Sequence, residues 1–351
     1  MWPILPSNIF KDKQLQGLIC LSPYVSLEVD VNGNVGLCGC YNWLPTRVGN
    51  LFKNTLDEIL SSPISQSIRS SISDGSYRYC DESRCGIMAN NAFNTEQNTP
   101  PEVLVSYRDP TKYVMPHEIF IAGDRTCNLS CPSCREEIFK NTDDELALAE
   151  ELGDQLRKNL FSTPTTSPIK LHLSVSGELF ASPLLLRFIN SIPVDDFPNL
   201  ELHIQTNALL APQNWHKLGN MQHRIRKITV TTDAATPDTY ETLRRGGSWE
   251  SLTTALDFLQ QKCQSADIQL HLRMITQLAN YKEISLFYEF GKKYNVDVFE
   301  YCRIRNWGTY SDSEFSRLDV FDPIHPEFKS AQAILDCVKS HNNVTIAGGL
   351  F

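Results

Sequence analysis

The sequence predicts an α/β chain, a partial (β/α)6 TIM-type barrel preceded by a small cysteine-rich α+β domain. Three observations predict it. From residue 117 onward, six short apolar runs alternate with amphipathic stretches, the pattern of a parallel sheet with crossover helices. Residues 1–89 hold five of the eleven cysteines around a hairpin signature. Between these regions, residues 90–116 are polar and carry four prolines, which reads as a linker. Six strands are fewer than the eight of a closed barrel, hence a partial one.

The elements follow in order. Residues 24–31 alternate apolar and polar, as a half-buried strand does. Asn32-Gly33 is a tight-turn dipeptide, and residues 35–37 return. Cys20 precedes this hairpin, and Cys38 and Cys40 end it. Residues 49–72 read as two helical pieces interrupted at Pro63, followed by a loop bearing Cys80 and Cys85. In the barrel region the strands are expected at 118–122, 169–175, 200–206, 227–232, 268–275 and 297–304. Helices are expected at 143–160, 183–192, 212–219, 237–261 and 281–294. Residues 311–351 complete the core and include a helix at 326–340.

Composition narrows the function. The chain has 351 residues, 41% hydrophobic and 21% charged, an ordinary globular balance. A net charge of −9 argues against broad binding to nucleic acid or an anionic membrane. No apolar run approaches the roughly 20 residues that span a bilayer. The first residues, MWPILPSNIFKDK, lack the features of a signal peptide. A cytoplasmic location is expected. An odd number of cysteines forbids complete disulfide pairing, and clustered thiols in a reducing compartment serve metals more often than disulfides.

Cys127, Cys131 and Cys134 form a CxxxCxxC triplet directly after the first barrel strand. Structural zinc takes four ligands, and a fourth local one is missing. An iron–sulfur cubane held by three thiolates keeps one iron open to a further ligand. A zinc loop completed from a distance, or three unrelated cysteines, are the alternatives. The triplet resembles that of the radical S-adenosylmethionine (SAM) superfamily. The resemblance implies a [4Fe–4S] cluster whose open iron binds SAM and, once reduced, cleaves it to a 5′-deoxyadenosyl radical.

Further motifs extend the resemblance. Ser176-Gly177-Glu178 is similar to the family's GGE, which contacts the SAM amine. Gln205-Thr206-Asn207-Ala208 is similar to its TNG. Thr231-Thr232-Asp233 is similar to its S-x-D, with Thr231 placed to meet the SAM carboxylate, and Arg244 stands where an arginine pairs with that carboxylate. Ser133 departs from the aromatic residue usual before the third cysteine. Glu178, Asn207 and Asp233 also read as helix caps. Cys20-x12-Gly33-x4-Cys38 resembles the opening of SPASM or twitch domains. It implies an auxiliary [4Fe–4S] cluster on Cys20, Cys38, Cys80 and Cys85, with Cys40 in reserve and zinc on the same residues as the alternative. In the family such domains generally follow the barrel; here it precedes.

Cys302, at the end of the sixth strand, reads either as a hydrogen-atom donor to a substrate radical or as a buried apolar cysteine. Arg303, Arg305, Asn306 and Trp307 are expected at the barrel mouth. His325 reads as a loop residue bonding its own neighbours. His172, His203 and His271 read as packing residues, and Cys263 and Cys337 as structural residues on helices. The resemblance implies hydrogen abstraction from an unactivated C–H bond, fed by an electron donor such as flavodoxin or ferredoxin. A carbohydrate, nucleotide sugar or other small polar substrate is expected first, because the stretch before Cys20 leaves no room for a leader-binding winged helix. Modification of a ribosomally made peptide is the alternative, and a non-catalytic electron-transfer or zinc-binding protein the second.

Overall fold

The computed structural model describes residues 15–41, 43–82, 84–173 and 176–347. The chain forms two compact units. One is Met1–Asp124 with Thr142–Ser176 and Arg187–Glu201, the other Arg125–Asn141 with Gly177–Leu186 and Leu202–Phe351. The residues read for a signal peptide lie outside those described. Among the described residues no helix is long and apolar enough to cross a membrane.

In the first unit, β1 (Ser26–Asp30) and β2 (Asn34–Gly36) form the expected antiparallel hairpin, and β3 (Gly49–Asn50) adds to β2. The Asp30 carboxylate closes the turn by accepting the amides of Asn32 and Asn34 at 2.9 and 3.0 Å. Gly33 there has φ +73°, a left-handed conformation that glycine adopts without strain. β4 (Glu118–Ala122) lies parallel to β1, with Ser26 opposite Glu118, and β5 (Ile169–Leu173) lies parallel to β4. The order is therefore β3-β2-β1-β4-β5. Alternation predicted a half-buried β1. Instead Ser26 and Glu28 are buried along with Leu27 and Val29, because β1 is an interior strand. Of the expected strand at 169–175, residues 174 and 175 lie outside those described.

Pro63 marks a boundary, as expected. It occupies the first turn of the helix Pro63–Ser73, where its missing N–H costs nothing, and Ser62 caps that helix. The expected linker contains a helix, Pro101–Arg108. Its prolines sit at the N-terminus, where they favour a helix rather than break it, and Val103, Ser106 and Tyr107 are buried. The guanidinium of Arg69, 1% exposed, donates to Leu60 O and Pro110 O and anchors the segment. The helix Asp143–Leu160 forms where expected, opened by a capping box of Thr142 and Glu145.

The second unit contains β6 (Leu200–Thr206) from Leu202 onward, β7 (Ile225–Thr231), β8 (Gln269–Thr276), β9 (Val298–Arg303) and β10 (Val344–Ala347). They run parallel in sequence order. β10 lies beyond the six strands expected. Neither run of strands closes on itself, so the fold is mixed α/β with a parallel sheet, a partial barrel rather than a closed one. The helix expected at 237–261 is two helices, Pro237–Leu243 and Trp249–Ala266. The break contains Gly246 at φ +98°, which a continuous helix cannot accommodate.

Candidate functional site

The cysteine triplet lies in the loop 125–141 of the second unit, and each of its sulfurs meets a nitrogen donor. Asn207 Nδ2 stands 3.9 Å from Cys127 Sγ. Arg244 Nη1 stands 3.4 Å from Cys131 Sγ, and Arg135 Nη2 is 3.4 Å from Cys134 Sγ. Donors aimed at sulfur suit thiolates, the form in which cysteine binds iron. Among the described residues no three His, Cys, Asp or Glu side chains converge on a single metal ion. A cubane places its cysteines on different irons, so its thiols stand farther apart than those around one ion.

The loop is fixed from two sides. Asn207 Nδ2 donates to Asn128 Oδ1 at 2.9 Å. Arg245 Nε donates to Ser130 Oγ at 3.1 Å and its Nη2 to Glu136 O, while its carbonyl accepts the Ser130 amide. Arg245, Arg135 and Asn128 carry no role in the sequence reading. Their signal is positional: Arg135 follows the third cysteine, and Arg245 follows the arginine expected to bind a carboxylate.

Glu178 is 1% exposed and acts as an internal bracket. One carboxylate oxygen accepts Thr206 Oγ1 at 2.7 Å and the Phe180 amide at 3.1 Å, and the other accepts the Asn207 amide at 2.7 Å. Its own amide donates to Thr126 O, beside Cys127. Burial raises its carboxyl, and these hydrogen bonds oppose the rise. Glu178 thus links the turn at Gly177, the end of β6 and the cysteine loop 125–141. The capping reading also holds, since the same carboxylate caps the short turn Leu179–Ala181.

Asp233 has φ +61° and is buried. Its Oδ1 accepts the Ile275 amide at 2.7 Å, and its Oδ2 lies 3.1 Å from Arg244 Nε as an ion pair without an aligned hydrogen bond. Arg244 also donates to Thr231 O, and the neighbouring Asp233 carboxylate strengthens its charge. The guanidinium expected to take a cofactor carboxylate is thus engaged with Asp233, Cys131 and Thr231. Thr231 Oγ1 is buried without a hydrogen-bond partner, so a ligand oxygen there would satisfy it. Ser176 lies in the first unit and donates to Ala122 O and Asp124 O, both at 3.1 Å.

Cys302 is half-buried on β9. Burial pushes its thiol up to about 11, with Arg273 opposing. Beside it runs a polar network that the sequence reading missed. His271 Nδ1 meets Glu300 Oε1 at 2.7 Å, and Arg273 pairs with Glu300 Oε2 and donates to Gln205. His271, read as a packing residue, is buried and also shares a hydrogen bond with the Glu300 carboxylate. In the first unit, His172 Nε2 likewise meets Glu118 at 2.7 Å and stacks on Phe120. Period-2 alternation carries the signal, since it sets His271 and Arg273 on one face of β8. Arg303, expected at the barrel mouth, is clamped by Asp319 at 2.7–3.0 Å, because strand alternation turns it to the opposite face from Cys302. Asn306 bonds its own loop, and Trp307 is exposed. His325 bonds Arg317 O and the Glu327 amide, as a loop histidine should.

In the first unit, Cys20, Cys38, Cys80 and Cys85 are buried and Cys40 is half-buried. Their thiols interact: Cys20 with Cys85, Cys38 with Cys20, Cys40 and Cys85, and Cys80 with Cys20, Cys38 and Cys85. Burial pushes Cys20 up to about 11 and raises Cys38 and Cys80 well above the ordinary range. Metal binding here therefore has to displace protons. Tyr77, fully buried, receives the Cys20 amide and donates to Leu18 O, fixing the first of these cysteines.

The profile of SPASM, an iron–sulfur cluster-binding domain, matches residues 20–86. The first unit carries such a domain. No curated protein matches the chain. Among solved structures the chain is similar to Streptococcus suis SuiB bound to S-adenosylmethionine, at 13% identity over 81% of this chain and 62% of that one, TM-score 0.44. It is similar to SuiB bound to the precursor peptide SuiA, at 12% identity over 94% and 73%, TM-score 0.43. It is also similar to a radical SAM methyltransferase from Sphaerobacter thermophilus, at 10% identity over 63% of each chain, TM-score 0.41. The chain thus spans less than two thirds of the first of these structures and of the methyltransferase.

Proposed function

We propose that the chain is a radical SAM enzyme with its auxiliary iron–sulfur domain ahead of the barrel, acting on a peptide. One observation carries the reading: three cysteines of a CxxxCxxC loop, each with a donor nitrogen at its sulfur. In this reading residues 1–89 hold the auxiliary cluster on Cys20, Cys38, Cys80 and Cys85, and 90–116 connect. Residues 117–310 form the catalytic barrel, and 311–351 complete the core. Cys127, Cys131 and Cys134 hold the catalytic cluster.

When bound, that cluster and SAM supply a reductive cleavage yielding a radical that abstracts hydrogen, with an electron from a flavodoxin- or ferredoxin-type donor. The chain's own residues bind and orient. Gly177 and Glu178 would meet the SAM amine from the turn they form, with Ser176 before it. Asn207 holds the cluster loop. Thr231 offers its unpaired hydroxyl, and Asp233 holds Arg244. Cys302, kept as S–H by burial, is the hydrogen-atom donor if the reaction is an epimerisation. The cysteine usage suits a reducing compartment, the cytoplasm.

The SPASM match supports the peptide over the small polar substrate, because the resemblance implies that such domains often serve enzymes of ribosomally made peptides. The test is anaerobic reconstitution followed by SAM and dithionite. About eight irons per chain are expected, four for each cubane, together with 5′-deoxyadenosine whose formation a genomically adjacent precursor peptide stimulates. Stimulation by a nucleotide sugar instead would restore the carbohydrate reading. A coloured protein that leaves SAM intact would make it an electron carrier, and a colourless zinc protein would end the cluster reading.

A further inference from the structure

We infer that Arg135 and Arg244 set the reduction potential of the centre held by Cys127, Cys131 and Cys134. This rests on the cluster reading above. Two of the three ligand sulfurs carry a guanidinium at 3.4 Å, Arg135 on Cys134 and Arg244 on Cys131, while the third faces the neutral amide of Asn207.

Both guanidiniums are held in place independently of sulfur. Arg135 Nη1 donates to Arg125 O at 2.6 Å. Arg244 donates to Thr231 O and pairs with Asp233. A fixed cation with an N–H on a ligating sulfur stabilises the extra electron of the reduced centre more than the oxidised one. Hydrogen bonds to sulfur and local charge are the protein's main controls over such potentials. The Asp233 carboxylate, 3.1 Å away, offsets part of the charge of Arg244. The step in question is a one-electron transfer from an external donor into the centre, with no bond made or broken.

The test is a redox titration of the reconstituted full chain without SAM, followed by electron paramagnetic resonance, for the wild type, Arg135→Gln and Arg135→Lys. The glutamine variant should lower the one-electron reduction constant about tenfold, a shift of about 59 mV to more negative potential. The lysine variant keeps the charge but loses the fixed guanidinium N–H on sulfur, so it should recover about half of that shift and stay below the wild type. The auxiliary centre in the same sample should not move. An unmoved potential in a fully loaded glutamine variant overturns the inference and leaves the cluster reading standing. If the glutamine variant loses its iron, the lysine variant decides. A smaller negative shift supports the inference, and none overturns it. A wild type with no cubane on residues 127–134 overturns both.

Discussion

At the scale of single residues, the barrel strands hold buried charge that their sequences conceal. Glu300 accepts from His271 and pairs with Arg273. Burial alone would raise its carboxyl, but these two partners hold it at about 2. A carboxylate depressed in the fold contributes stability above the unfolded carboxylate range near pH 4.3 and loses it as the pH falls toward about 2. Glu300→Gln should therefore cost on the order of 3 kcal/mol at pH 7 and flatten the pH dependence of stability between about 4.5 and 2. Urea denaturation across that range checks it, and parallel slopes for variant and wild type would refute it. The network was only half legible. Alternation placed His271 and Arg273 on one face of β8. Nothing in a single strand says that the residue beside them on β9 is Glu300, because that is a fact of register.

At the scale of elements, turn and helix chemistry was the most readable layer. Asn32-Gly33 and the boundary at Pro63 each bring their own local cause and form where expected, and the helix expected at 143–160 opens with a capping box at Thr142. The failure is equally local. Residues 237–261 keep helical periodicity through Arg244–Gly247, so the pattern favoured one helix, yet the chain breaks there. The break serves the cysteine loop, because it lets Arg244 and Arg245 reach Cys131 and Ser130 together. Gly246 makes it possible at φ +98°, and a methyl group placed on its Cα would meet no atom closer than 3.7 Å. Gly246→Ala thus meets backbone strain rather than a clash, a cost of about 1–3 kcal/mol. The melting temperature should fall, and iron bound by the triplet should fall with it. Full iron loading at an unchanged melting temperature would show that the break does not position the loop.

At the scale of the whole molecule, the cysteine grouping was legible and the strand partnership was not. The spacing of Cys20, Gly33 and Cys38 marked the auxiliary domain without any structure, and the match over 20–86 agrees. The proline-rich stretch after it read as a linker between two domains. What a one-dimensional pattern cannot show is that β1 pairs residue for residue with β4, from Ser26–Glu118 to Asp30–Ala122. That pairing gives the order of the domains a material consequence. A chain trimmed to start at residue 117 would leave bare the amides and carbonyls on the side of β4 where β1 pairs, a template for neighbouring chains. Such a fragment should precipitate or multimerise on expression, as light scattering would register, whereas a detachable module would leave a well-behaved monomer. The cysteine-rich domain is in this sense a selvedge, woven into the cloth it finishes.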